Sequence, residues 1–309
     1  MSGTALLFAG QGAQYPGMGK EIYDAYPEAR ELFLEAEEIV SLPLRRICFE
    51  GTHEELRRTE WTQPAILTVS VATWKVLEAG GLRAQAALGL SLGEYGAHVA
   101  AGSLAWQEAL PLVHLRGKLM QDAVPEGTGG MLAVLGLDDV EVEALCREAP
   151  APLEPANYNA PGQVVVAGRP AALDWMAEKV SERGARSVRL SVSAPFHSSL
   201  LEPAGAALRP ALERLHWGAP RFPVVANMTA RPTEMEGVVE TLAQQVYRPV
   251  RFSDSLSYLL GEGFDQFVEV GPGRSQVGFL RRIDRSVSFH TTDNLADLAA
   301  VLDWTKEVC

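Results

Sequence analysis

The residues of this chain best suited to chemistry are Gly89-Leu90-Ser91-Leu92-Gly93. In a G-x-S-x-G pattern the serine sits on a strained strand-to-helix turn with its hydroxyl exposed, and the glycines leave room for neighbouring backbone. The amide of the next residue, Leu92, then heads a helix, where it can face a developing oxyanion. The bland reading of the same letters is a plain glycine turn. A serine hydroxyl needs a base to become a nucleophile, and six histidines compete for that part: His53, His98, His114, His197, His216 and His290. His98 and His114 fall in helix-like segments and read as core or surface histidines. His53 and His216 lie in polar surroundings, and nothing supports His290. His197, in Ala194-Pro195-Phe196-His197-Ser198-Ser199, follows a predicted strand at a return point between two chain segments, where clefts form. It is the expected base. A full triad of this kind needs an Asp or Glu between serine and histidine in chain order. The aspartates of that interval are Asp122, Asp138, Asp139 and Asp174, none at the end of a strand of the main body. The pattern therefore predicts a dyad, its imidazole held by a carbonyl.

The elements that must position these residues can be read from periodicity. The apolar run 4–8, followed by Ala9-Gly10-Gln11-Gly12-Ala13-Gln14, predicts a buried strand and a tight loop. Helical spacing runs over 28–40, and 64–77 is long enough for a buried helix. Between 128 and 193 the pattern changes. Strands are predicted over 131–135, 153–158, 163–167 and 187–192, with helices over 138–147 and 171–183. The order β-α-β-β-α-β is the ferredoxin-like arrangement. We read 128–193 as a small subdomain inserted into a larger α/β body made of 1–127 and 194–309. Strands at 223–226 and 266–270 return the chain to that body, and Gly271-Pro272-Gly273 reads as a strand-end turn.

Composition sets the bounds. The 309 residues are 47% apolar and 21% charged, ample for a core and against disorder. No stretch approaches a membrane span, and the opening Met1-Ser2-Gly3-Thr4 has no basic cluster, so a cytoplasmic location is expected. The net charge of −12 argues against nucleic-acid binding. Cys48, Cys146 and Cys309 are too scattered for a disulfide framework or a zinc site.

Seven blocks in order carry a resemblance. They are Gly10-Gln11-Gly12-Ala13-Gln14, Thr62-Gln63-Pro64-Ala65, Gly89 to Glu94, Arg116-Gly117, Pro195-Phe196-His197-Ser198, Gln245 with Pro249-Val250-Arg251-Phe252, and Val270-Gly271-Pro272-Gly273. With these the sequence resembles, over nearly its whole length, the malonyl-CoA:acyl carrier protein transacylases and the acyltransferases of polyketide synthases. The resemblance implies a hydrolase-like parallel-sheet core with a ferredoxin-like insert. It implies Ser91 as the acylated nucleophile, His197 as base and the Gln245 backbone carbonyl as its orienting group. The amides of Gln11 and Leu92 would form the oxyanion hole. Arg116 would clamp the free carboxylate of a malonyl group; without the other blocks it would read as a solvated charge. Phe196 would crowd a branch on the α-carbon, the alternative being a core aromatic. Gln63 and Asn159 match substrate-binding positions, the alternative being turn or cap residues. No cofactor and no metal are implied, only malonyl-CoA and an acceptor bearing phosphopantetheine.

The resemblance implies malonyl transfer to an acyl carrier protein by a ping-pong route, for fatty-acid or polyketide synthesis. The alternative is an acyl hydrolase of the same fold, which Arg116 disfavours and which Leu90, standing where the family usually has histidine, keeps open. A non-enzymatic docking subunit and a generic esterase fit less well. Arg248 also departs from the family's usual small polar residue. Working in trans, the chain is expected to be a monomer that meets an acidic carrier through a local basic patch. Arg183, Arg186 and Arg189, or Arg281, Arg282 and Arg285, are the candidates.

Overall fold

The computed structural model describes residues 3–125, 127–192 and 194–308. Met1, Ser2, Ser193 and Cys309, which enter the readings above, lie outside them. Ten strands are found among the described residues: β1 (Gly3–Phe8), β2 (Ala86–Gly89), β3 (Gly130–Leu135), β4 (Leu153–Ala160), β5 (Gln163–Gly168), β6 (Arg186–Arg189), β7 (Val224–Ala226), β8 (Arg231–Pro232), β9 (Phe264–Val270) and β10 (Ser288–Thr291). They form a six-stranded sheet in the order β10-β9-β1-β2-β7-β8 and a four-stranded sheet in the order β4-β5-β3-β6.

The larger sheet is parallel except at its β7–β8 edge. In such a sheet both faces are covered, so its strands read as continuous apolar runs. On β1 this is explicit: Leu6 and Phe8 join one apolar cluster while Ala5 and Leu7 join the cluster on the other face. The strands β1, β2, β7 and β9 end on one side of the sheet, and their following loops carry Gln11, Ser91, Asn227 and Gly271. The strand order turns at β1, with β2 on one side and the returning β9 on the other, and in open α/β sheets ligands bind outside the carboxyl ends at such a point.

The smaller sheet is antiparallel and has the ferredoxin-like order, with the helices Asp139–Glu148 and Pro170–Glu182 inserted between its strands. Leu132, Val134, Val164 and Val166 face its own helices. Met131, Ala133, Val165 and Ala167 face the other way, into the main apolar cluster. Burial on both faces is why Val164-Val165-Val166 can be continuous rather than alternating. The fold is thus a parallel α/β core carrying an antiparallel ferredoxin-like subdomain. Two hydrogen bonds, Tyr158 N–H to the Val250 carbonyl at 2.9 Å and Val250 N–H to the Ala156 carbonyl at 2.8 Å, stitch β4 to the body.

Several boundaries differ from those expected. β6 ends at Arg189 rather than at 192, although Leu190 N–H still donates to the Met131 carbonyl. β4 accommodates Pro155 because it is an edge strand with a register shift there. The buried helix starts at Thr59, with Pro64 inside it. β8 and β10 were not anticipated: the first is two residues long, and the second is only partly buried and lacks an apolar run. No helix among the described residues is long and apolar enough to cross a membrane.

Candidate active site

Ser91 stands between β2 and the helix Gly93–Ala101 with φ of 53°, the left-handed region that a non-glycine residue enters only under constraint. The glycines around it are needed for close backbone contact. A Cβ on Gly89 would lie 1.9 Å from the carbonyl carbon of Gly93, and one on Gly10 would lie 2.3 Å from the Leu90 oxygen. His197 shares the strain, with φ of 59°.

Ser91 Oγ is 2.8 Å from His197 Nε2, and His197 Nδ1 is 2.7 Å from the carbonyl oxygen of Gln245. A carbonyl only accepts, so Nδ1 carries the proton and Nε2 is free to accept the one on Ser91. Burial, helped by the nearby Arg116 charge, lowers the His197 pKa to about 3, so the ring is neutral through the physiological range. Of the interval aspartates, Asp138 caps the helix Asp139–Glu148 and Asp174 pairs with Arg189.

Arg116, on the helix Trp106–Asp122, is fully buried and is no surface charge. Its Nη1 donates to Gln63 Oε1 at 2.8 Å, and its Nη2 donates to Ser91 Oγ at 3.0 Å and to Gln245 Oε1 at 2.9 Å. Its guanidinium carbon lies 5.4 Å from the Tyr95 ring centre, while Nε has no hydrogen-bond partner among the described residues. Burial lowers its pKa, opposed by Tyr95 and Glu94. A buried guanidinium whose direct partners are all neutral is short of an anion.

The other expected residues divide. Gln63 lies inside the helix Thr59–Ala79 and holds Arg116, so it is neither a turn nor a cap residue. Leu92 is the N-cap of the helix Gly93–Ala101. Gln11 follows β1, its side chain donating to Thr59 Oγ1 at 3.2 Å. Phe196 is buried in the main apolar cluster. Asn159 is in β4, not in a turn, and its buried Oδ1 has no partner among the described residues. Leu90 packs against the cluster containing Val225 and Phe252. Of the other histidines, His98 is buried against Ser103, its Nδ1 2.8 Å from the hydroxyl, and His290 stacks on Trp304. A surface groove of about 1320 Å³, lined by Leu32, Val99, Trp106 and Trp217 among others, shares no residue with this cluster.

Two residues were missed. Glu94, fully buried in the first turn of the helix after Ser91, accepts at Oε2 from Asn227 N–H at 2.9 Å and from Gln245 Nε2 at 2.7 Å. Asn227 returns to the elbow: its Oδ1 accepts from Ser91 N–H and its Nδ2 donates to the Gly89 carbonyl, each at 2.6 Å. Gln245 Nε2 also donates to the Ser91 carbonyl at 3.0 Å. An acid in the wholly buried stretch 93–101 was the available signal for Glu94; Asn227 had none.

A hydroxyl on a strand-to-helix elbow, a neutral imidazole and a buried guanidinium in one hydrogen-bonded cluster are the parts of a serine acyl-transfer site on an α/β body. The family described as acyl transferase domain matches residues 5–282, and the chain belongs to it. Among its relatives is a malonyl CoA-acyl carrier protein transacylase of Bacillus subtilis, 40% identical over 312 residues, covering 99% of this chain and 98% of the relative. The protein so named in Escherichia coli is 38% identical over 308 residues, covering 98% of this chain and all of its own. The crystal structure of the transacylase of Clostridium perfringens superposes with a TM-score of 0.95 at 36% identity, covering 99% of this chain and 98% of that one. A malonyl-transacylase in complex with a type II polyketide synthase acyl-carrier protein matches with a TM-score of 0.95 at 38% identity, covering 98% and 99%.

Proposed function

We propose that this chain carries malonyl groups from malonyl-CoA to the phosphopantetheine thiol of an acyl carrier protein, through a malonyl ester of Ser91. The observation that carries the reading is the buried Arg116 guanidinium 3.0 Å from Ser91 Oγ. A malonyl group is three carbons long. A cation that pairs with its free carboxylate must therefore stand within a few ångströms of the oxygen to which its other end is joined. An acetyl group would leave that buried guanidinium unpaired, which is unfavourable.

In the first half-reaction His197 Nε2 takes the Ser91 proton while Oγ attacks the thioester carbonyl carbon. The amides of Gln11 and Leu92 are assigned to the oxyanion, the latter at the head of a helix. Collapse breaks the carbon–sulfur bond, and the CoA sulfur leaves with the proton from His197. In the second half, the carrier's thiol gives its proton to Nε2 and its sulfur attacks the ester carbonyl. Ser91 Oγ departs and recovers the proton. The Gln245 carbonyl keeps the imidazole in the required tautomer. Gln63 holds Arg116, Asn159 Oδ1 is assigned to the substrate, and Phe196 limits branching at the α-carbon. So written, the reaction uses no cofactor or metal, and among the described residues no cluster suited to a metal ion occurs. The body 1–127 with 194–309 supplies the chemistry and 128–193 covers it; a cytoplasmic location suits both substrates.

The carrier is assigned to exposed arginines, Arg186 and Arg189 on the edge strand β6 or Arg281, Arg282 and Arg285. Acidic carriers would approach such a patch despite the chain's net charge of −12. The hydrolase alternative is set aside, since the relatives bear transacylase names and Arg116 is in place.

Intact-mass analysis tests this reading. Mixing with malonyl-CoA is expected to give a malonyl adduct that is weaker with acetyl-CoA and passes to a phosphopantetheinylated carrier. An adduct released to water faster than to the carrier would overturn it.

A further inference from the structure

The dyad chemistry requires Ser91 Oγ, His197 and the Gln245 carbonyl, yet the elbow is held by a second, buried assembly. Both backbone groups of Ser91 meet side chains: its N–H donates to Asn227 Oδ1, and its carbonyl accepts from Gln245 Nε2 as well as from the Glu94 backbone N–H at 3.1 Å. Asn227 and Gln245 converge on one atom, Glu94 Oε2, at 2.9 and 2.7 Å. Gln245 is also an oriented relay. Its amide nitrogen faces Glu94 while its Oε1 accepts from Arg116 Nη2, so a reversed amide would set N–H groups against the guanidinium. Glu94 therefore decides which end of Gln245 Arg116 meets. A left-handed serine persists only where its surroundings over-determine it, and this assembly supplies the determination.

We propose that Glu94 is a positioning residue for acyl transfer: through Asn227 and the Gln245 side chain it holds the Ser91 elbow and the Arg116 clamp in one register, so that both the rate of acylation and the choice of acyl group depend on it. The inference rests on the malonyl-transfer reading above. Glu94 touches no reacting atom. Its function is geometric and is carried by an acceptor oxygen at Oε2. An ordinary acid in the first turn of a helix would act by charge instead, and the two roles make opposite predictions.

The test measures serine acylation by malonyl-CoA and acetyl-CoA, with thermal unfolding alongside, in Glu94→Ala, Glu94→Gln, Glu94→Asp and Asn227→Ala. Glu94→Ala is expected to slow malonylation about 10- to 100-fold, since two buried donors lose their acceptor, and to lower the malonyl-over-acetyl ratio. Glu94→Gln keeps an oxygen in the same place and should recover most of the rate and ratio. Glu94→Asp keeps the charge but withdraws the oxygen, and should not. Asn227→Ala, which leaves Glu94, Gln245 and Arg116 in contact, should slow acylation about tenfold with the ratio unchanged. A folded Glu94→Ala with the wild-type rate and ratio, or better recovery by Asp than by Gln, overturns the inference. Where Glu94→Ala does not fold, a wild-type rate in Asn227→Ala does the same. Failure of the wild type itself to form a malonyl adduct would instead sink the malonyl-transfer reading.

Discussion

Two carboxylates in this molecule have nearly the same environment and opposite significance. Glu94 and Glu269 each lie near the carboxyl end of a strand of the parallel sheet, fully buried, and burial raises each pKa to about 7. Both accept from backbone amides, Glu94 from Asn227 and Glu269 from Gln276 and Val277 at 3.0 and 2.9 Å. Glu269 thereby closes the start of the helix Ser275–Ile283, both of these donors being backbone amides of that helix. The second donor to Glu94 is a side chain, Gln245, whose other end meets Arg116 and whose backbone meets His197. Burial and a raised pKa therefore do not by themselves mark a functional acid. What the donors touch next does.

The widest separation between the two regions is expected at the nucleophile. Ser91→Ala should abolish the malonyl adduct and lower transfer by at least ~10⁴-fold in steady-state assays, with an unfolding midpoint close to wild type. Arg116→Ala comes next: removing the clamp should erase about 100-fold of malonyl-over-acetyl preference, read as the ratio of kcat/KM values. Glu269→Ala sharpens the comparison from the other side. It should destabilise by about 1–3 kcal/mol in denaturant titrations, since buried amides lose their acceptor, while the malonyl-over-acetyl ratio stays put. A change in that ratio would break the distinction drawn here.

The pH dependence follows from the same pair. A carboxyl whose folded pKa is raised from the ordinary 4.5 to about 7 favours folding most below about 4.5. That contribution is lost as pH rises through about 7. Glu269→Gln should flatten this part of the stability profile, measured as unfolding free energy between those limits. The smallest effect is expected at Phe196: Phe196→Val should raise acylation by an α-methyl-branched malonyl thioester about tenfold relative to malonyl.

Much of this was legible in the sequence. Strand and helix periods located the ferredoxin-like insert, because Val164-Val165-Val166 and the amphipathic 171–183 segment follow strand and helix rules that act over neighbouring residues. The short edge elements β8 and β10 were illegible because their residues are only partly buried and leave no apolar pattern. In the site, the glycines around Ser91 were readable since a tight elbow restricts residue type locally. Arg116 was ambiguous for the converse reason: an arginine in a helix is ordinarily solvated, and only the surrounding blocks argued otherwise.

The sequence by itself singled out Ser91 and His197 as the proposed nucleophile and base, since residue types at short spacing carry that information. It also determined the two-sheet plan. The tertiary structure alone decided that Arg116 is buried with neutral partners and that Gln245 works through its side chain as well as its carbonyl. It also decided that Glu94 and Asn227, 133 positions apart, share a hydrogen bond. These are facts of distance between segments that the sheet brings together. No local pattern of residues encodes them, because the free energy that selects such a contact belongs to the packing of the whole core and not to either segment.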